Sequence, residues 1–146
     1  MSQVYNAVRE YRNSIQDLIN SKNNSRILVQ CNTISIANNQ TANVDIENAA
    51  KSYSVLEVYA NAAAWVRVYN SPEKRFADAA RVITADPESN SGVILEVVTV
   101  SAESVQVTPA VTGYTSNVST IPLKITNKSG ANASINVKLT LLVHEQ

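Results

Sequence analysis

Residues 120–145 read TIPLKITNKSGANASINVKLTLLVHE. Apolar side chains fall on alternate positions, with Ile121, Leu123 and Ile125 before Lys128–Ala131 and Ile135, Val137, Leu139, Leu141 and Val143 after it. A period of two marks a strand with one face in a core and one in water, because successive side chains point to opposite faces of the pleat. Between the two runs Gly130 can adopt a positive φ and close a turn. The stretch therefore reads as a β-hairpin whose two strands face the same core.

The same period recurs upstream. RILVQCNTISIA places Ile27, Val29 and Cys31 in one phase and Ile34 and Ile36 in the other, which predicts a bulge or bend near Asn32. After a turn at Asn38–Gln40 come strands carrying Val44 and Ile46, then Tyr53–Ala60, Ala64–Asn70, Gly92–Val100 and Ser104–Val111. Short strands at intervals of about ten residues, with polar turns between them, predict a mainly β chain: an antiparallel, jelly-roll-like β-sandwich. Nothing in the pattern suggests βαβ crossovers, except one short helical crossover considered below.

The N-terminus has a different period. Val4, Val8, Tyr11, Ile15 and Leu18 are spaced four, three, four and three apart, which puts them on one stripe of an amphipathic helix. Ser21–Ser25, SKNNS, ends it. The expected organisation is a helix over residues 1–24, acting as an assembly element, and a β-sandwich domain over 25–146. Such a helix is marginal alone in water. Its stripe must be covered by its own sheets or by another chain.

Composition narrows the function classes. Twelve Lys and Arg balance twelve Asp and Glu, so no net field draws in nucleic acid or an anionic membrane. Cys31 is the single cysteine and His144 the single histidine, which leaves no internal disulfide, thiolate metal cluster or catalytic triad to assemble. Cofactors are therefore expected to be none. With neither an apolar leader nor a membrane span, the chain reads as made in the cytoplasm and not exported.

The candidate site is WVRVYNSPEKRFADAAR, Trp65–Arg81. Ser71 can cap a helix, Pro72 suits its first position and Glu73 favours the positive end of its dipole. Arg75, Asp78 and Arg81 then stand three apart, so that Asp78 can reach both guanidinium groups, with Arg67 on the preceding strand as a further cation. Arginines around a carboxylate could bind a phosphate or an acidic sugar. The reading preferred here is a structural latch that holds the crossover to the sandwich, because the planar guanidinium fork bonds carboxylate and backbone carbonyl equally well. Tyr53, Tyr59, Trp65 and Tyr69 are candidates for a sugar-stacking platform, Trp65 and Tyr69 foremost. Glu57 and Glu96 interrupt strands, and nothing in their spacing brings them together as an acid–base pair, so no enzyme is expected.

Four segments together resemble small structural proteins of tailed bacteriophages: AWVRVYNSPEKRFADAAR (64–81), TADPESNSGVILEV (84–97), VTPAV (107–111) and TNKSGANASINVKLTLLVHE (126–145). The resemblance begins at Ala64 and leaves out the N-terminal helix. It implies a virion component of the neck, collar, tail or capsid surface, a β-sandwich forming a symmetric homo-oligomer such as a trimer or ring. The partners it implies are copies of itself and other virion proteins. It carries over no catalytic residue. The alternative is a carbohydrate-binding module on a phage fibre or spike.

Overall fold

The computed structural model describes residues 2–23, 26–115 and 118–146. Helix α1 (Ser2–Asn23) precedes eight strands: β1 (Arg26–Asn32), β2 (Thr41–Ile46), β3 (Ser52–Ala60), β4 (Ala64–Tyr69), β5 (Val93–Thr99), β6 (Glu103–Tyr114), β7 (Ile121–Asn127) and β8 (Asn136–Glu145). A second helix, α2 (Pro72–Ala77), lies between β4 and β5. The strands form two antiparallel four-stranded sheets, ordered β1-β8-β3-β6 and β2-β7-β4-β5. Only β4 and β5 are both consecutive in the chain and neighbours in a sheet; every other connection passes from one sheet to the other. This is the strand order of a jelly roll, whose paired Greek keys leave each sheet only two edges.

The order corrects the hairpin reading of residues 120–145. β7 pairs with β2 and β4, whereas β8 pairs with β1 and β3. The two runs do share a core: Ile121, Leu123 and Ile125 face Ile135, Val137, Leu139 and Leu141, all fully buried. Alternation reports which face of a strand is apolar and is silent about which sheet the strand joins. Residues 128–135 are long enough to cross the roughly 10 Å between packed sheets. Gly130 takes the expected positive φ, +87°, in that crossing.

The break expected near Asn32 is present, since β1 ends at that residue. Cys31 and Thr33 remain in phase and buried, and Ile34 is 79% exposed. The chain re-enters the core only at Ile36, through a bridge to Ala133. The bend thus follows Thr33, and Ile34 is not a core residue.

The end of the sandwich where β1–β2, β3–β4 and β7–β8 connect is tied by asparagines. Buried Asn127 donates from Nδ2 to the carbonyls of Ile36 (2.9 Å) and Ala131 (2.8 Å) and accepts from the Ser129 N–H (2.9 Å). Asn38 accepts from Gly130 N–H (2.9 Å), and Asn61 accepts from Asn136 N–H (2.9 Å). Buried loop backbone needs such partners, and short amides supply both donor and acceptor.

Candidate functional site

Strand β4 is buried on both faces. Ala64, Val66 and Val68 point into the core, so Trp65, Arg67 and Tyr69 point outward, to a face that would ordinarily be wet. They are nonetheless only 5, 2 and 0% exposed. Their cover is the crossover of residues 70–92, which folds back over the second sheet.

Local chemistry explains how it folds back. Ser71 caps α2 by accepting from the Lys74 N–H at 3.2 Å, Pro72 opens the helix, and Asp78 ends it with its N–H on Lys74 O. Lys74 Nζ donates to Asn90 O (2.8 Å), and Asn70 N–H to Gly92 O (3.0 Å), closing the base of the loop. Arg75 Nη1 reaches β2 and β7, donating to Asp45 Oδ1 (2.7 Å), Leu123 O (3.2 Å) and Val44 O (3.3 Å).

Asp78 is the centre of the cover. Arg81 Nε meets its two oxygens at 2.9 and 3.1 Å, Arg81 Nη2 donates at 3.0 Å and the Tyr69 hydroxyl at 2.6 Å. Arg81 Nη1 also contacts Glu96 Oε2 (2.6 Å) and Ala85 O (2.9 Å). Arg67 lies 3.5 Å over the Trp65 ring and donates to Thr126 Oγ1 (2.5 Å), while the Arg81 guanidinium stands 5.4 Å from the same ring. Stacking of guanidinium on indole suits a weakly hydrated planar cation.

The latch expected from the sequence is therefore assembled differently. Arg67 and Arg81 share the Trp65 ring and Asp78 takes Arg81, but Asp78 does not bridge Arg75 and Arg81. The helix stops at Ala77, so Arg75 projects toward the β2–β7 side and takes Asp45, while a turn brings Arg81 back onto Asp78. Tyr69, Asp45 and Glu96 belong to the same assembly, whereas the sequence suggests Tyr69 only as a stacking ring and Glu96 only as a strand interruption, and gives Asp45 no role. Glu96 was recoverable in principle, since it lies directly across the β4–β5 ladder from Arg67.

The electrostatics are those of a partly desolvated, mutually neutralising cluster. Burial alone would push the Asp78 carboxyl up, but the Arg81 fork, the Tyr69 hydroxyl bond and the charge of Arg67 hold it below the usual range. Burial pushes Arg67 down to about 10, reinforced by Arg81 and opposed by Tyr69, Asp78 and Glu96. Lys124, directly across from Arg67, is lowered by burial and then by Arg67 and Arg75. Asp45, Asp78 and Glu96 each lie within ion-pair distance of an arginine of the crossover, which ties it to β2 and β5.

The remaining candidates are dispersed. Trp65 and Tyr69 are covered and cannot stack a ligand, which corrects that expectation; the rings serve as the floor beneath Arg67 and Asp78. Glu57 and Glu96 sit on different sheets with the core between them. His144 Nε2 is 2.8 Å from Ser54 Oγ, which in turn is 3.0 Å from Thr112 Oγ1 on the outer side of the first sheet. Among the described residues no three His, Cys, Asp or Glu side chains converge as metal ligands, and no helix is long and apolar enough to cross a membrane.

The N-terminal helix supplies the other candidate surface. Val4, Val8, Tyr11 and Ile15 are 67, 49, 70 and 41% exposed, and Tyr5 widens the stripe at 68%. The Leu18 side chain lies outside the described residues. Of the two covers considered for this stripe, the protein's own sheets do not provide one. No family model matches the chain and no curated protein matches it, so any functional reading rests on these residues, their geometry and the sequence resemblance given above.

Proposed function

We propose that the protein is a non-enzymatic structural component of a tailed-phage virion, at the neck, collar, tail or capsid surface, which assembles as a symmetric homo-oligomer through α1. The observation that carries the assembly reading is the uncovered apolar stripe on α1, attached to a sandwich whose own core is closed. Placement in a virion rests on the sequence resemblance. A jelly roll is compatible with it, since capsid domains use that strand order, although a shared fold does not assign a function.

The partner in this reading is another copy of the chain. Val8 and Ile15 fall on a-type positions and Val4, Tyr11 and Leu18 on d-type positions of a short heptad seam. Charged Arg9, Glu10 and Asp17 lie off that seam. Full burial of each large side chain would contribute about 1.5–3 kcal/mol, with less for residues already half covered. Repetition around an axis then supplies what one helix cannot.

Native mass spectrometry and light scattering on the full chain and on the Val8→Glu/Ile15→Glu variant test this. Glu is as good a helix former as the residues it replaces, so the variant keeps its helix and body. The expected result is an oligomer for the parent and a folded monomer for the variant. A monomeric parent at high micromolar concentration would remove the proposal.

A further inference from the structure

The outer face of the first sheet holds a concavity that neither the latch nor α1 uses. It is an open hollow of about 250 Å³ lined by Leu28 of β1, Lys138 and Thr140 of β8, Glu57 and Tyr59 of β3 and Ser104 of β6, so all four strands of the sheet contribute. The register sets the residues in two rows: Lys138, Tyr59 and Ser104 are cross-strand neighbours in one, and Leu28, Thr140 and Glu57 in the other.

Glu57 is on this face because of a backbone irregularity. Tyr53 and Val55 point into the core, and strict alternation would send Glu57 in after them. The register instead slips between Val55 and Glu57 in both ladders of β3, so that Val58 and Ala60 become the next core residues and Glu57 turns outward. Bulges characteristically re-aim one side chain in this way. Here the side chain re-aimed is a carboxylate, and it is delivered beside an aromatic ring.

Glu57 and Lys138 have opposite charges and line the same small space, yet they form no ion pair; the salt bridges among the described residues are Arg75–Asp45, Arg81–Asp78 and Arg81–Glu96. Lys138 Nζ lies 5.3 Å from the centre of the Tyr59 ring instead. A carboxylate acceptor, an ammonium donor, two hydroxyls and half-buried Tyr59 thus border one concavity with no net charge.

We infer that this concavity is a binding site for a neutral saccharide, about one sugar ring of a larger glycan. A sugar presents an apolar C–H face, which fits the Tyr59 ring and the flank of Leu28. Its hydroxyls both donate and accept, which matches Glu57 on one side and Lys138 on the other. Opposed charges at the wall give no advantage to a polyanion or a cation, and binding pockets of this kind combine an apolar platform with a few placed polar groups. The site is separate from the covered Trp65 and Tyr69 and is independent of how the protein assembles.

The test is an NMR titration of the full chain with methyl glycosides of glucose, galactose, mannose and N-acetylglucosamine, with methyl glucuronide as the anionic probe. The expected result is saturable shifts at Glu57, Tyr59, Ser104 and Lys138 with at least one neutral glycoside. Affinity should fall at least tenfold in Tyr59→Ala and in Glu57→Gln. Both side chains lie outside the core, so unchanged spectra elsewhere verify folding, and Tyr59→Phe should retain most of the binding. Absence of shifts at these residues with every neutral probe would overturn the inference, as would binding indifferent to Tyr59→Ala. A preference for glucuronide abolished by Lys138→Gln would also overturn it, by showing an anion site.

Discussion

Replacing Asp78 with Ala should loosen the crossover and leave the sandwich intact. Two losses can be separated. The Tyr69 hydroxyl, on a residue with no exposed surface, would lose its acceptor, and an unsatisfied buried group costs about 1–3 kcal/mol. Arg81 would lose a charge-assisted fork of about 1.5–3 kcal/mol, although Glu96 and Ala85 O still hold its Nη1. The Asp78 and Arg81 side chains are 8 and 9% exposed, so water does not readily replace the lost bonds. With allowance for relaxation the sum is about 2–4 kcal/mol, or roughly 5–15 °C in Tm for a chain of this size. Differential scanning calorimetry gives the shift, and limited trypsin digestion should show new cuts at Lys74, Arg75 or Arg81. The Asp78 carboxyl titrates below its ordinary 3.8 in the folded protein, so its contribution is complete above about pH 5 and is lost as pH falls through the folded value. Between pH 7 and pH 3 the parent should lose more stability than Asp78→Asn, whose side chain does not titrate. A Tm within about 1 °C of the parent for Asp78→Ala, with no new cleavage, would refute the account of the crossover as held by this carboxylate.

Three further outcomes follow from particular contacts. Asn127→Ala removes two donated bonds and one accepted bond in a fully buried position and should cost about 2–4 kcal/mol, measured by urea denaturation with an unchanged m-value. Gly92→Ala places a Cβ 2.4 Å from Lys74 Cγ and 2.8 Å from Asn70 Oδ1 at φ +78°, so a loss of about 1–3 kcal/mol is expected, together with easier proteolysis of the crossover. Cys31 is buried, and burial pushes its thiol up to about 11; it should resist a thiol-reactive disulfide reagent at pH 8 in the native protein and react stoichiometrically in denaturant.

Much of the candidate site could be read locally, and its wiring could not. Ser71, Pro72 and Glu73 announce a helix start through effects confined to one turn, and α2 begins where they place it. The charges of Arg67, Arg75, Asp78 and Arg81 were equally plain. Which carboxylate each arginine takes depends on strands brought alongside by the fold: Arg75 finds Asp45 on β2, thirty positions earlier, and Arg81 finds Glu96 on β5. Trp65 and Tyr69 resemble a stacking platform until the crossover is seen lying over them, because alternation identifies the outward face of a strand and cannot report what later covers it.

The division between the two levels has one physical origin. Period and local propensity act over a few residues, and they determined from the sequence alone that this chain has eight short strands, an amphipathic N-terminal helix and a short helix after β4. Partnering is a long-range choice among strands with nearly equal apolar faces. The tertiary structure alone decided that β7 and β8 belong to opposite sheets, that a bulge in β3 is what carries Glu57 to the outer face, and that the face of β4 carrying Trp65, Arg67 and Tyr69 is buried under charge. It also decided that the α1 stripe is left uncovered by the chain's own sheets, since the apolar area those sheets offer is already spent on each other.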